Sequence, residues 1–535
     1  MAPDQSKGQD DITLAPVHEE PTIRIARDKA TDFLASHADD GTCFTSAEEK
    51  AVLRRIDLRV LPLLLGAYFF QQLDKSSLSY VSIFGITDDA HLVGKQYSWL
   101  GSILYLAQLF WQPAAACILV KLPTGKVIGA AIFLWGCSLA IMSACTDFKS
   151  LLGMRFVLGS FEAMIAPSCV AVTQMWWRRS EQTLRTSYWN AMNGVTFIVG
   201  SLFTYGLGHI HSEKMFRYQL IFLVCGLLTV LYSVVVLIFM PDSPMGAKYL
   251  RQREKVIAVE RLRANQMGVA SRTWRWDHVV ETLLDLSEKD TKLTLGHSIA
   301  SGGIGTFGNL IVKSFGYSSF ETILFNIPFG VIQVVAIVGT GWFATRFQRK
   351  GLVIAGVSVL PTIGTILMLT VSREHKGVLL LGYYLVSCIG THGRHRTREV
   401  TPRRSARRPW CFIGMCTGNV IGPLLYSTDH APLYRPGLIA DLTMFVQVGA
   451  LSALIPFYLM FLNRRHARRR EELGKTADVV DESMVAKSQL ETSKAVEVEE
   501  GGVAGAHGHQ QRSLEEDNAL QDMTDLRNED FIFVY

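Results

Sequence analysis

Long apolar runs separated by short polar turns fill the chain between about residues 57 and 462. A helix needs about 20 mainly apolar residues to cross a bilayer. Runs of this kind stand at 58–80, 97–119, 127–146, 149–175, 186–208, 218–240, 322–345, 351–371, 411–427 and 438–462. Six precede residue 241, and two weaker runs bring the second half to six. The pattern predicts an all-α membrane protein with 12 transmembrane helices in two six-helix bundles.

Polar stretches flank and divide these runs, and they set the predicted domain boundaries. The ends of the chain are polar and charged, which is typical of disordered tails. The predicted parts are an amino-terminal tail, a first six-helix bundle, a linker, a second six-helix bundle and a carboxyl-terminal tail, at 1–50, 51–240, 241–290, 291–462 and 463–535.

Composition supports a membrane protein, because 49% of the 535 residues are hydrophobic and only 19% are charged. Lysines and arginines concentrate in alternate loops, in the linker and after residue 463. Cytoplasmic loops are enriched in these residues, so we expect both termini in the cytosol. We also expect the protein to lie in the plasma membrane. The net charge of +5 then reflects topology, and no nucleic-acid partner is expected.

Motifs for enzymatic chemistry are missing from the sequence. It has no nucleotide-binding G-x-x-x-x-G-K-[ST] loop and no CxxC, and its nine cysteines show no metal-ligand spacing. We therefore expect no enzyme, no cofactor and no metal, and we expect a monomer.

Two charges stand inside the apolar run at 149–175. Arg155 and Glu162 are seven residues apart, so they lie on one helix face about 10 Å apart along the axis. That separation is too long for direct pairing. Asp74 and Lys75, in an equally apolar run, are the nearest candidates for partners on another helix. Intramembrane charges are costly and usually functional, although a purely structural salt-bridge network, or a Lys75 that reaches for the interface, stays open.

The loop after the eighth run resembles a motif of the major facilitator superfamily. GWFATRFQRK matches the pattern G-x-x-A-x-R-x-x-x-K at Gly341, Ala344, Arg346 and Lys350. The loop after the second run, LVKLPTGKVIG, is a degenerate copy at the equivalent place in the first half. The resemblance implies the major facilitator fold, with Gly341, Arg346 and Lys350 in a gating loop.

A narrower resemblance comes from RFVLGSFEAMIAP in the fourth run and FFQQLDKSSLSY in the first. They are similar to the anion:cation symporter family, and FNIPFG, CFIGMCTGNVIGP and DMTDLRNEDFIFVY are similar to its fungal allantoate permease branch. The resemblance implies that Asp74 and Glu162 couple transport to protons and that Lys75 and Arg155 sense the anion or relay charge.

The resemblance also implies a transporter that works by alternating access, bringing a small organic anion into the cell with protons. Allantoate, ureidosuccinate, nicotinate, pantothenate or a related carboxylate would be carried. A proton-coupled exporter of drugs or toxins and a nutrient sensor remain alternatives, as does sodium in place of the proton. Polar or aromatic residues within the runs are candidates to line the substrate cavity, namely Gln108, Tyr188, Asn193, Asn326 and Asn419.

Two segments of the second half depart from this pattern. Residues 285–299 are polar where the seventh span should begin, and 391–410 are rich in arginine after a tenth run too short to cross. Either they are an unusual helix start and a long basic loop, or the gene sequence is misread there.

Overall fold

Helices make up all the regular structure in the described part of the chain. The computed structural model describes residues 45–472 apart from 211, 212, 214, 264–287, 348–349 and 389–407. Both predicted tails, apart from residues 45–50 and 463–472, and most of 391–410 lie outside these residues. The prediction of an all-α protein is confirmed, and no β-strand occurs among the described residues.

The amino-terminal half contains a short leading helix followed by six helical segments. They are α1 Ser46–Arg59, α2 Leu61–Ile83, α3 Gln96–Lys121, α4 Thr124–Met142, α5 Phe148–Glu162 with α6 Ile165–Trp176, α7 Arg179–Gly208 and α8 Arg217–Phe239. A helical turn, Ile86–Asp89, joins α2 to α3, and helix α9, Gln252–Arg263, follows α8.

The carboxyl-terminal half repeats this arrangement with six further segments. They are α10 Glu288–Lys313, α11 Ser319–Leu324 with α12 Asn326–Phe347, α13 Lys350–Thr370, α14 Lys376–Val386, α15 Arg408–Leu424 and α16 Arg435–Glu472. A short 3-10 helix, Thr428–His430, lies between the last two.

Seven helical stretches of the described residues are long and apolar enough to cross a membrane. They are Gln96–Leu119, Thr124–Met142, Phe148–Trp176, Arg217–Phe239, Ser319–Phe343, Val353–Thr370 and Arg435–Arg465. The runs predicted at 58–80, 186–208 and 411–427 also form helices, namely α2, α7 and α15. Polar side chains within α2, α7 and α10 lower their hydropathy, and several of these side chains reach the central cavity described below.

The segment at 285–299 is largely regular in the structure. From Glu288 onward it forms the first half of the 26-residue helix α10, and Leu293 and Ile299 are buried there. The polar start of the seventh span therefore does not prevent a helix, because its few apolar side chains lie on the packed face.

The fourth span is divided into α5 and α6 just after Glu162. Pro167 has no N–H to donate to the carbonyl of Ala163, four residues earlier, so the helix is interrupted at this point. Gly159 lets α5 approach α3 closely, since a Cβ there would lie 2.4 Å from the Leu104 carbonyl oxygen. The sequence thus fixes where the charged face of α5 meets its neighbours.

Helices α1 and α9 pack together beside the amino-terminal half. Thr45 and Glu48 cap the start of α1, and the Thr45 N–H donates to Glu48 Oε2 at 2.9 Å. The Arg261 side chain, 1% exposed, pairs with Glu49 at 3.2 Å and with Glu181 at 2.6 Å. Because these carboxylates belong to α1 and α7, Arg261 ties three helices together.

Candidate functional site

A central cavity lies between the two halves. Its volume is about 140 Å³. The helices that line it are α2, α3, α5 and α7 from the first half and α10, α12 and α14 from the second. A ligand held there would contact both halves at once, which is the position that links binding to relative movement of the halves.

Arg155 of α5 lines this cavity and is 2% exposed. Its guanidinium carbon lies 5.9 Å from the centre of the Phe222 ring. Its Nη2 atom has no hydrogen-bond partner among the described residues. A buried cation with an unused donor is unfavourable unless an anion or water satisfies it, so Arg155 is suited to bind an anionic group.

Lys75 and Glu162 form an ion pair beside Arg155. The distance from Lys75 Nζ to Glu162 Oε1 is 2.8 Å, with the side chains 20% and 1% exposed. Lys75 Nζ also lies 5.6 Å from the centre of the Tyr105 ring. The second carboxylate oxygen of Glu162 has no hydrogen-bond partner in the described part of the chain. Lys75 therefore points inward to Glu162 and does not reach for the membrane interface.

Asp74 has a different environment, although it is the neighbour of Lys75 in sequence. Its carboxylate accepts hydrogen bonds from the indole N–H of Trp135 and from the Thr229 hydroxyl, the latter at 3.2 Å. These donors belong to α4 and α8, and Asp74 is not one of the residues that line the cavity. The α2 helix thus presents Lys75 to the cavity and Asp74 to the packing of the first half.

Of the five candidate lining residues, the structure places Asn193 on the cavity wall, and its Oδ1 has no partner among the described residues. The Asn326 amide donates to Asn309 at 2.7 Å, and the Asn419 amide donates to the Met415 carbonyl at 2.8 Å. Gln108 is also buried away from the cavity, and Tyr188 is 37% exposed. The sequence shows that a polar residue lies in an apolar run but not which way its side chain points. It therefore could not distinguish the cavity-lining position from the others.

The residues matched to the gating-loop motif lie at the junction of α12 and α13. Gly341 and Arg346 belong to the end of α12, and Lys350 is the first residue of α13. Residues 348–349 between the helices are outside the described part.

Several lining residues were not predicted, among them Gln72, Tyr105, His297, Gln333 and Tyr383. Gln333 faces the cavity from α12, and its Oε1 has no partner in the described residues. A weak signal was available for Gln72, which lies three residues before Lys75 and so on the same helix face. The lining residues of the second half could not be predicted from sequence, because their place in the cavity depends on how the two halves face each other.

Taken together, the cavity offers a guanidinium donor and amide groups from both halves, against aromatic walls. An amide provides both donors and an acceptor, so Asn193 and Gln333 are suited to N–H or C=O groups of a ligand. In the described residues no group of three His, Cys, Asp or Glu side chains is placed to hold a metal ion.

Comparisons with known proteins agree with this architecture. The sequence profile of the Major Facilitator Superfamily matches residues 64–394. An uncharacterized transporter of Schizosaccharomyces pombe is 32% identical over 444 residues, which cover 81% of this chain and 84% of that protein. The thiamine pathway transporter THI73 of Saccharomyces cerevisiae is 32% identical, with 79% and 81% covered, and the allantoate permease of the same yeast is 26% identical, with 80% and 82% covered.

Solved structures of the same fold have much lower sequence identity. The proton:xylose symporter XylE aligns with a TM-score of 0.55 at 12% identity, covering 74% of this chain and 94% of that one. A bacterial homologue of the lysosomal transporter Spinster aligns at 0.54 and 13%, covering 74% and 95%. The chain therefore belongs to the major facilitator superfamily and is an integral, multi-pass membrane transporter of small molecules, not an enzyme.

Proposed function

We propose that this transporter carries a small organic anion into the cell together with protons, by alternating access between its halves. The observation that carries the proposal is the buried Arg155 guanidinium with an unused donor, facing a cavity that is also lined by Lys75, the partner of Glu162. The substrate class is a carboxylate that also bears amide, ureido or ring nitrogen groups, such as allantoate, ureidosuccinate, nicotinate or pantothenate. The similarity to a protein named allantoate permease supports this class.

The geometry supports a competition mechanism for coupling. A substrate carboxylate at Arg155 Nη2 brings negative charge near Lys75, whose ammonium is held by Glu162 at 2.8 Å. When Lys75 turns to the substrate, the Glu162 carboxylate loses its counter-charge in a buried site, where an unpaired charge is unfavourable. Glu162 then takes up a proton, so anion binding and proton binding favour each other.

The remaining roles follow from position. Asp74 is proposed as the second coupling carboxylate, since it adjoins Lys75 and is held by two donors. Asn193 and Gln333 would orient the nitrogen-bearing part of the substrate from opposite halves. We further propose that the transporter acts as a monomer at the plasma membrane. Both termini would lie in the cytosol, as the loop charges favour.

Uptake measurements test the proposal. Cells that express the chain are given radiolabelled allantoate, nicotinate or pantothenate at acidic and at neutral external pH. We expect acid-stimulated uptake in the wild type and loss of the stimulation in Glu162→Gln, which keeps the shape of the side chain without its charge. Glu374→Gln is the matched control, because Glu374 is an exposed carboxylate in the loop before α14.

Three results would contradict the proposal. Uptake that is independent of pH and unchanged by Glu162→Gln would exclude Glu162 from coupling. Reduced accumulation on expression would indicate an exporter, and signalling without accumulation would indicate a sensor. Surface expression of each variant is measured in parallel, so that loss of the protein is not read as loss of coupling.

A further inference from the structure

A further intramembrane carboxyl group lies in the carboxyl-terminal half, outside the cavity. Asp441 of α16 is 1% exposed. The Tyr426 hydroxyl donates a hydrogen bond to Asp441 Oδ2 at 2.7 Å. Asp441 Oδ1 has no hydrogen-bond partner among the described residues. Neither the proposed mechanism nor the superfamily motif uses this residue.

The surroundings of Asp441 hold its tyrosine partner in a fitted slot. A Cβ on Gly303 would lie 2.7 Å from the Tyr426 ring, and a Cβ on Gly437 would lie 2.4 Å from it. Both glycines are thus required for the ring to occupy this position. The phenol is held between α10 and α16, which aims its hydroxyl at the carboxyl group.

Among the described residues, no charged side chain of the neighbouring helices is placed to neutralise Asp441. On α10 the facing residues are Gly303 and Phe307, whose ring stacks on that of Tyr426 with centres 5.2 Å apart. Tyr434 packs against both rings, with its centre 6.4 Å from that of Tyr426 and 6.0 Å from that of Phe307. His297, almost two turns before Gly303, lines the cavity. The one charged residue of α13, Lys350, is the first residue of that helix.

An ionised carboxylate with one hydrogen bond and no cation is costly in this setting, whereas the neutral acid is tolerated. The unpartnered Oδ1 is the atom at which a proton is added or removed. It lies 3.5 Å from where a Cβ of Gly303 would be. The next residues of α10, Ile304, Gly305 and Thr306, line the cavity, so one helix separates Asp441 from it.

The tyrosine also connects Asp441 to the contact between the halves. The Ser98 hydroxyl of α3 donates to the Tyr426 carbonyl at 2.9 Å, and the Ser102 hydroxyl donates to the Val420 carbonyl at 2.8 Å. Tyr97 donates to the Thr306 carbonyl at 2.9 Å and packs edge-on against Phe307. Movement of α3 away from α15 therefore disturbs the residue that binds Asp441.

We propose that Asp441, held by Tyr426, is a further proton-binding site whose occupancy changes as the contact between α3 and α15 opens and closes. The proton comes from water and returns to water, and no other reactant is needed. The inference rests on the proposed proton-coupled transport, and it adds a site in the half that contains neither Glu162 nor Asp74.

Infrared spectroscopy of the full-length protein in lipid nanodiscs, without substrate, tests proton binding directly. Because the neutral acid is the favoured form, we expect the wild type to gain a carboxylic acid C=O band as the pH is lowered from a strongly alkaline value to neutral. This band should be absent from Asp441→Asn and restored in Asp441→Glu. Tyr426→Phe should keep the band but move it to higher frequency, because the carbonyl loses a hydrogen bond. Gel filtration of each variant checks that it is folded.

A band that Asp441→Asn removes equally at every pH would mean a permanently neutral, structural acid, and it would overturn the proposal. So would the absence of any band lost in Asp441→Asn, or a band unmoved in Tyr426→Phe. A titrating band without acid-stimulated uptake in the wild type would refute the proposed symport and leave the proton site standing. Acid-stimulated uptake without a titrating band would support the proposed symport and refute the proton site at Asp441.

The link to the transport cycle has its own measurement in proteoliposomes, with radiolabelled allantoate as the probe. Exchange at equal pH on both sides moves no net protons, whereas net uptake does. We expect Asp441→Asn to reduce net uptake several-fold more than exchange. An equal reduction of the two would overturn the link.

Discussion

At the residue scale, Arg155 and Lys75 carry the same charge in different ways. Arg155 is almost fully buried with an unused donor, and Lys75 is engaged by Glu162. The planar guanidinium can bind a carboxylate through two parallel hydrogen bonds, whereas an ammonium is a point charge. In the proposed mechanism, Arg155 therefore binds the substrate carboxylate, and Lys75 is released from Glu162 when the substrate arrives.

Arg155→Lys should therefore raise the KM for a carboxylate substrate about tenfold or more, because a charge-assisted hydrogen bond contributes about 1.5–3 kcal/mol. Uptake is measured as a function of substrate concentration. Arg464→Lys, at an exposed arginine of α16, is the control and should leave KM unchanged. An unchanged KM in Arg155→Lys would show that the substrate does not use the guanidinium fork.

Variants at Asp74 and its partner Thr229 separate the effect of the Asp74 charge from the effect of its hydrogen bonds. Asp74→Asn keeps an acceptor for Trp135 and Thr229, and it removes only the titratable group. We expect reduced acid stimulation of uptake with normal surface expression. Thr229→Val, which removes one donor and keeps the carboxylate, is the companion variant. Full acid stimulation in Asp74→Asn would restrict the role of Asp74 to packing.

At the element scale, α5 shows how local sequence sets the position of a functional face. Gly159 permits the approach to α3, and Pro167 interrupts the span after Glu162. Arg155 and Glu162 are consequently held on the face that meets α2 and α3. Gly159→Leu should displace α5 and abolish uptake, since its Cβ would lie 2.4 Å from a backbone oxygen.

At the same scale, the packing of α1 and α9 predicts that loss of Arg261 lowers the free energy of unfolding. Arg261→Ala leaves Glu49 and Glu181 without their buried partner. We expect a loss of about 2 kcal/mol, below the usual cost of breaking a buried pair because both carboxylates remain partly exposed. Thermal unfolding in detergent should show a lower Tm. Arg253→Ala, which breaks an exposed pair with Glu48, is the control, and an equal Tm for the two variants would contradict the role of Arg261.

At the scale of the whole molecule, the two halves contact each other through hydrogen bonds that gather near one end of the helices. They join Gly94, Ser98 and Ser102 of the α2–α3 connection and α3 to Thr428, Tyr426 and Val420. The Lys313 ammonium adds a bond to the Ile83 carbonyl at 3.2 Å. The sequence predicts this end to be the outer one, so the proposed cycle requires these contacts to separate when substrate enters.

A cross-link across this contact should stop transport. Ser102→Cys and Val420→Cys, combined in one chain and treated with a short thiol-cleavable bifunctional reagent, should lose uptake and recover it on reduction. Variants that carry only one of the two added cysteines, treated in the same way, control for reaction at the native cysteines. Undiminished uptake by a fully cross-linked protein would contradict separation of the halves at this end.

The sequence was sufficient to predict the helical class, most of the spans and the charged residues within them. The length of an apolar run predicts a membrane helix, because a single segment in lipid can hydrogen-bond all its backbone N–H and C=O groups only as a helix. The spacing of Arg155 and Glu162 likewise predicted that they do not pair with each other, and the structure pairs Glu162 with Lys75 of α2. The segment 288–299 shows where this method fails, since its low hydropathy did not prevent a regular, partly buried α10.

Tertiary structure decided which of those polar residues share a space. Lys75 meets Glu162, while its neighbour Asp74 is bound by α4 and α8, and Asn193 lines the cavity while Asn326 and Asn419 do not. Asp441 stood alone in an apolar run, and only the structure placed Tyr426 against it. The reason is geometric: hydropathy along the chain reports that a side chain is inside the membrane, but its neighbours depend on the rotation and packing of helices that are distant in sequence.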